Sequence, residues 1–222
     1  KEFKPNPNLR SGKYYYRMLA AATIETEQWE KAKQLIPPAG WEPKSFSKAG
    51  YNFVRGYAAA MQGDDEAEQY VTELRALREK GFPKNYFSRP ENLEVWELEI
   101  RTAIKLYHKD YEAAIQLAKQ AALVEEKLPL PSGPPRILKP TYELLGEVYL
   151  KAGKPKKAKE QFTISLMRHP NRIRSLVGLA RSAKLNGDKV IAKENYERLL
   201  FLLKNADSTF PELKEAKEFL KN

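Results

Sequence analysis

A recurrence of 34 residues constrains this chain more than any other feature. Residues 139–170 read KPTYELLGEVYLKAGKPKKAKEQFTISLMRHP. Shifted by 34 positions, Tyr142 meets Leu176, Leu145 meets Leu179, Gly146 meets Ala180 and Tyr149 meets Ala183. Further on, Ala158 meets Ala192, Phe162 meets Tyr196 and Ser165 meets Leu199. A period of this length is the mark of a helix–turn–helix unit that buries its apolar face only by stacking on its neighbours. Within each half of the unit the apolar and small positions follow i, i+3, i+4, i+7 spacing, the period of an amphipathic helix. Gly153 and Pro155 supply a stop and a restart between the halves, and Asn186-Gly187-Asp188 repeats that break.

Residues 139–170 carry Tyr142, Leu145-Gly146, Tyr149, Ala158, Phe162, Ser165 and Pro170 at the spacing of a tetratricopeptide (TPR) repeat, and the chain resembles that family. Small residues at Gly146 and Ala158 allow two helices to approach, and the aromatic residues fill the space beside them. A second likeness runs over roughly residues 90–220. Val124–Glu126, Gly133–Pro135, Tyr142–Glu147, Arg168–Arg172 and Ser175–Arg181 are similar to the C-terminal region of many uncharacterised bacterial tetratricopeptide proteins. The resemblance implies a bacterial repeat scaffold, and it supplies neither a reaction nor a ligand.

The expected fold is all-α: an α-α superhelix, a TPR-like solenoid of about five antiparallel helix pairs with a C-terminal capping helix. The pairs are expected at 12–36, 45–81, 91–127, 139–169 and 171–206, in a single repeat domain over 1–222, with the cap at 210–221. Tyr16, Leu19, Ala20 and Ala32 fit the pattern in the first pair, while Tyr14 and Tyr15 face either the groove or an upstream repeat. The second and third pairs depart from the ideal register by about a residue. FPELKEAKEFL at 210–220 is amphipathic and suits a helix that closes the last apolar face. Pro-rich runs at 36–43 and 128–135 cannot be helical and read as connectors that could also cover a groove.

Charge is uneven. Of the net +10, residues 139–222 hold +8, with 18 Lys and Arg against 10 Asp and Glu. A basic half points to an acidic partner, whether a protein or peptide, a nucleic acid or an anionic surface, or else to a solvated lysine-rich helix face. The chain has no cysteine, which excludes thiol chemistry and disulfides. It has no apolar run long enough for a membrane span. The compartment stays open between cytoplasm and periplasm or exterior. Starting at Lys1 without an initiator Met, the chain reads as a piece of a longer protein.

No catalytic, metal or cofactor site is expected. His108 and His169 are far apart and each ends a helix, where imidazole suits the C-terminal dipole. There is no H-E-x-x-H, phosphate loop or nucleophile elbow. The chain is therefore expected to be no enzyme but a scaffold binding a peptide or partner protein on its concave face, lined by first helices. Glu143, Glu147 and Lys151 in one repeat, and Arg174, Arg181 and Lys184 in the next, are the expected groove residues, together with Leu150 and Val177. The three cations fall on one helix face and could hold an acidic ligand. The acids argue against a carboxylate clamp, and an internal pair such as Glu147 with Arg181 is the other reading. Nucleic-acid or other polyanion binding through the basic repeats, and a non-catalytic helical region of a longer multidomain protein, are the alternatives. Oligomeric state is left open.

Overall fold

The computed structural model describes residues 10–33, 35, 46–81, 89–129, 136–206 and 210–221, with the side chains of 10–16, 33 and 46–48 outside that description. Among the described residues the chain is all-α, with eleven helices and no strand. They are α1 (Arg10–Thr26), α2 (Trp29–Lys33), α3 (Phe46–Gln62), α4 (Glu66–Lys80), α5 (Pro90–Tyr107) and α6 (Tyr111–Glu125). Then come α7 (Thr141–Lys151), α8 (Pro155–Arg168), α9 (Ile173–Leu185), α10 (Lys189–Leu202) and α11 (Pro211–Lys221). The chain divides into two compact units, Lys1–Lys139 and Pro140–Asn222. The Pro-rich run at 36–43, most of that at 128–135, and the side chains of Tyr14, Tyr15 and Tyr16 lie outside the described residues.

In the second unit the two helix pairs, α7–α8 and α9–α10, close their turns identically. Gly153 N–H donates to Leu150 C=O at 3.0 Å and Lys154 N–H to Tyr149 C=O at 2.9 Å. One repeat later Gly187 N–H donates to Lys184 C=O at 3.1 Å and Asp188 N–H to Ala183 C=O at 2.9 Å. This is the left-handed helix stop, with Gly153 at φ 69° and Gly187 at φ 78°. Pro155 then opens α8, and Asp188 caps α10 by accepting from Ile191 N–H at 3.3 Å.

The first unit uses the same closure at α3–α4 and α5–α6. Asp64 N–H reaches Ala59 C=O at 2.9 Å beyond Gly63, and Asp110 N–H reaches Lys105 C=O at 2.9 Å beyond Lys109. Lys109 is not glycine, yet its φ is 59°. The core of this unit is aromatic. Phe53 stacks on Trp96 at 5.6 Å between ring centroids, Phe53 meets Tyr57 at 5.8 Å, and Trp29 meets Tyr57 at 5.6 Å. The stack ties α2, α3 and α5. Glu97 on α5 is buried beside α4, where Arg75 donates to it at 2.7 Å and Arg78 lies 3.3 Å away.

In the second unit, Phe162 of α8 is fully buried and sits between two glycines of successive first helices. A Cβ on Gly146 of α7 would lie 2.9 Å from its ring, and one on Gly178 of α9 only 2.3 Å away. Missing side chains on both first helices make the slot for the ring. Tyr196 occupies the corresponding position on α10, where it packs with Val177, Ala180, Leu199 and Ala216. Its ring meets Phe219 of α11 at 5.0 Å. The terminal helix thus buries Leu213 and Ala216 against the last pair, and Lys214, Lys217 and Lys221 face outward. An apolar inner face and a charged outer face are what a terminal helix needs to end a stack in water.

Candidate functional site

The first helices of the second unit, α7, α9 and α11, run side by side in the same direction. Arg174 near the start of α9 pairs with Glu212 near the start of α11 at 2.8 Å. Two turns on, Arg181 pairs with Glu215 at 2.6 Å. At the helix end, Lys184 Nζ lies 5.7 Å from the centre of the Phe219 ring. All three expected groove cations of α9 therefore touch α11.

This changes what those cations can do. The Arg174 side chain keeps only 10% of its exposure, and its carboxylate partner is equally covered. Arg174 is a structural ion-pair residue, not a groove cation. Arg181 retains 42%. Its guanidinium is held above its ordinary range chiefly by the hydrogen bonds to Glu215, against the opposing effect of burial. The expected internal partner, Glu147, gives way to Glu215 because the terminal helix places a carboxylate directly beside α9. Lys184 is exposed.

Glu143 is the clearest correction. It was expected to line the groove, but its exposure is 0%. Arg172, at the start of α9, grips it from Nε at 2.9 Å and Nη2 at 3.0 Å, and Ser175 Oγ donates to it at 2.7 Å. The Ser175 hydroxyl has one proton and gives it to Glu143, so the 2.8 Å bond between Ser165 and Ser175 is donated by Ser165. The repeat register explains the burial. One 34-residue step from Glu143 stands Val177, which is 2% exposed. That position on the first helix faces the next repeat, not solvent.

Glu147 is half-buried and Lys151 is exposed at the end of α7. The charged residues of the expected set that reach solvent are thus chiefly Glu147, Lys151, Arg181 and Lys184. Sequence reasoning missed Arg172, Ser175, Glu212 and Glu215. The signal for Glu215 was present, since Glu147, Arg181 and Glu215 are spaced by the same 34 residues.

Glu215 also accepts from Tyr196 Oη at 2.5 Å. Burial pushes its carboxyl up, but the bonds from Arg181 and Tyr196 together bring it below the ordinary value. Burial, and then the Glu215 carboxylate, raise the Tyr196 phenol well above its usual range. Lys159 of α8 pairs with Asp188 at 2.9 Å and lowers that carboxyl, helped by the Ile191 amide. No group of three or more potential metal ligands exists among the described residues, and no helix there is long and apolar enough to cross a membrane.

No family model matches the chain, and no curated protein matches it. Among solved structures it is similar to MamA of MSR-1, at 14% identity and a TM-score of 0.44, covering 88% of this chain and 99% of that one. It is also similar to a Podosopora anserina chain of nearly identical TPR-like repeats assigned to the kinesin light chains, at 19% identity and a TM-score of 0.47. That likeness covers 92% of this chain and 100% of the other. A single-substitution variant of the same protein gives 18% identity and a TM-score of 0.48, over 92% and 98% of the two chains. At TM-scores below 0.5, the architecture rests on the chain's own packing: antiparallel helix pairs, of which α7–α8 and α9–α10 repeat in a 34-residue register.

Proposed function

We propose that the chain is a protein-interaction scaffold that holds a peptide or partner protein along the exposed side of α7, α9 and α11. The observation that supports this reading is the charge arrangement on that side. Arg181 stays 42% exposed while paired, and Lys184 and Lys151 are exposed at the ends of neighbouring first helices. Helices held parallel by internal ion pairs present these groups in fixed rows, which lowers the ordering cost of binding. Lys151, Arg181 and Lys184 favour an acidic segment by charge-assisted hydrogen bonds, and Glu147 disfavours a ligand whose acid falls opposite α7. Glu143 and Arg174 support the face from within.

Fluorescence polarisation with acidic, neutral and basic peptide libraries tests this. The acidic set is expected to bind best. The Lys151→Glu, Lys184→Glu double variant should weaken that binding by about tenfold or more, since each charge-assisted contact contributes roughly 1.5–3 kcal/mol. No binding by any set, or binding unchanged in the variant, would remove the assignment.

A further inference from the structure

At one end of the second unit, the α7–α8 turn and the α9–α10 turn lie one repeat apart. The 2.9 Å bridge from Lys159, in the second turn of α8, to Asp188 ties the α9–α10 turn to the preceding pair. Residues 151–157 and 184–190 make these turns, and they contain six lysines and one carboxylate, Asp188. That carboxylate is engaged by Lys159 and by the Ile191 amide. Lys156, Lys157 and Lys189 are exposed in the first turns of α8 and α10. Side chains in a helix tilt toward its N-terminus, so these lysines lean toward the end of the unit.

Two large aliphatic side chains flank the same turn. Leu185 is 66% exposed and Val190 68%. They stand on either side of Asn186-Gly187-Asp188, at the tip of the α9–α10 hairpin. Aliphatic side chains at a tip ringed by lysines gain little from a phosphate backbone. They gain by leaving water for an acyl layer while the ammonium groups stay at the headgroups.

We propose that this end of the second unit docks on an anionic lipid surface, with Leu185 and Val190 entering the headgroup boundary and Lys156, Lys157 and Lys189 attracted to the lipid charge. Several features of the edge favour a bilayer over a nucleic acid. The cations within the two turns are all lysine, a point charge suited to diffuse attraction, and no arginine offers a bidentate grip. Neither turn contains an aromatic residue on which a base could stack. The edge borders the proposed peptide face at Lys151 and Lys184, but Lys156, Lys157, Lys189, Leu185 and Val190 belong to the edge alone, so variants at these five separate lipid binding from peptide binding.

Vesicle co-sedimentation of the chain tests the proposal, using phosphatidylcholine alone and phosphatidylcholine with about a third phosphatidylserine. Binding is expected only to the anionic vesicles, weakening as salt is raised. Lys156→Glu, Lys157→Glu, Lys189→Glu should reduce it by at least about tenfold. Leu185→Ser, Val190→Ser should reduce it severalfold and abolish insertion into a lipid monolayer, with the thermal melt unchanged because both side chains already face water. Absence of binding to anionic vesicles at low salt would overturn the proposal, as would binding indifferent to the serine variants. Tighter binding of a mixed-sequence oligonucleotide, lost in the glutamate variants and kept in the serine variants, would assign the edge to nucleic acid instead.

Discussion

Arg181 and Glu215 stand one 34-residue step apart in the sequence and pair across α9 and α11 at 2.6 Å. The same carboxylate takes the Tyr196 hydroxyl, at the position where the preceding repeat has Phe162. A hydroxyl on the repeat's aromatic residue thus serves the terminal helix alone. Its consequence is a dependence on pH. The Glu215 carboxyl titrates below its ordinary 4.5 in the folded chain. The stability it contributes is therefore complete above that ordinary value and is lost as pH falls through the folded one. Melting temperatures of the native chain and of Glu215→Gln should differ most near neutrality and converge in acid. A gap that stays constant would show that ionisation of Glu215 contributes nothing.

The buried carboxylate of Glu143 carries a prediction about stability rather than binding. Glu143→Ala would take the carboxylate from Arg172, whose side chain is only 18% exposed, and Arg172→Ala would take the guanidinium from the fully buried acid, leaving it the Ser175 hydroxyl. Each should cost about 3 kcal/mol or more, read by urea denaturation. The double variant should cost less than the two together, because the residues share one interaction. Near-zero loss on removing Glu143 would return it to the solvent-facing set.

The two glycines around Phe162 should respond unequally to alanine. Gly178→Ala places a methyl 2.3 Å from the ring, and Gly146→Ala places one at 2.9 Å. The ring is fully buried and has nowhere to swing. Overpacking costs typically ~1–3 kcal/mol, against up to ~1 kcal/mol recovered in helix propensity. Gly178→Ala is expected to destabilise clearly and Gly146→Ala less, with Phe162→Leu relieving the former. Equal melting temperatures for the two alanine variants would contradict the slot.

Lys109 holds a left-handed backbone in a turn whose counterparts use Gly63, Gly153 and Gly187. Lys109→Gly should raise stability by about 0.5–1 kcal/mol, because relief of the side-chain clash exceeds the extra freedom of the unfolded glycine. A destabilised variant would mean that the lysine side chain contributes more than its backbone costs.

The fold was legible because its period is written in residues that pack. Gly146, Ala158 and Phe162 identify a close helix pair without any structure, and Gly153 and Gly187 mark the same turn twice. The binding face was legible only in part. Glu143 looks like a surface acid by type, and nothing local to it reveals that Arg172 and Ser175 arrive from the next repeat. Arg174 reads as a groove cation, and Arg181 as one or as the partner of Glu147, because their actual partners lie on a helix about one repeat further along. Such pairings follow from register, and the comparison of Glu147, Arg181 and Glu215 needed α11 to be treated as a first helix rather than as a tail.

That register is most directly tested by exchanging the charges of Arg181 and Glu215. Arg181→Glu and Glu215→Arg should each lower the melting temperature by several degrees, at ~2–4 °C per kcal/mol for a chain of this size. The exchanged double variant should recover more than half of the summed loss, since the pair is reformed with its ends reversed. Losses that simply add would mean that α11 does not sit against α9 one repeat on, and the account of the terminal helix would fail.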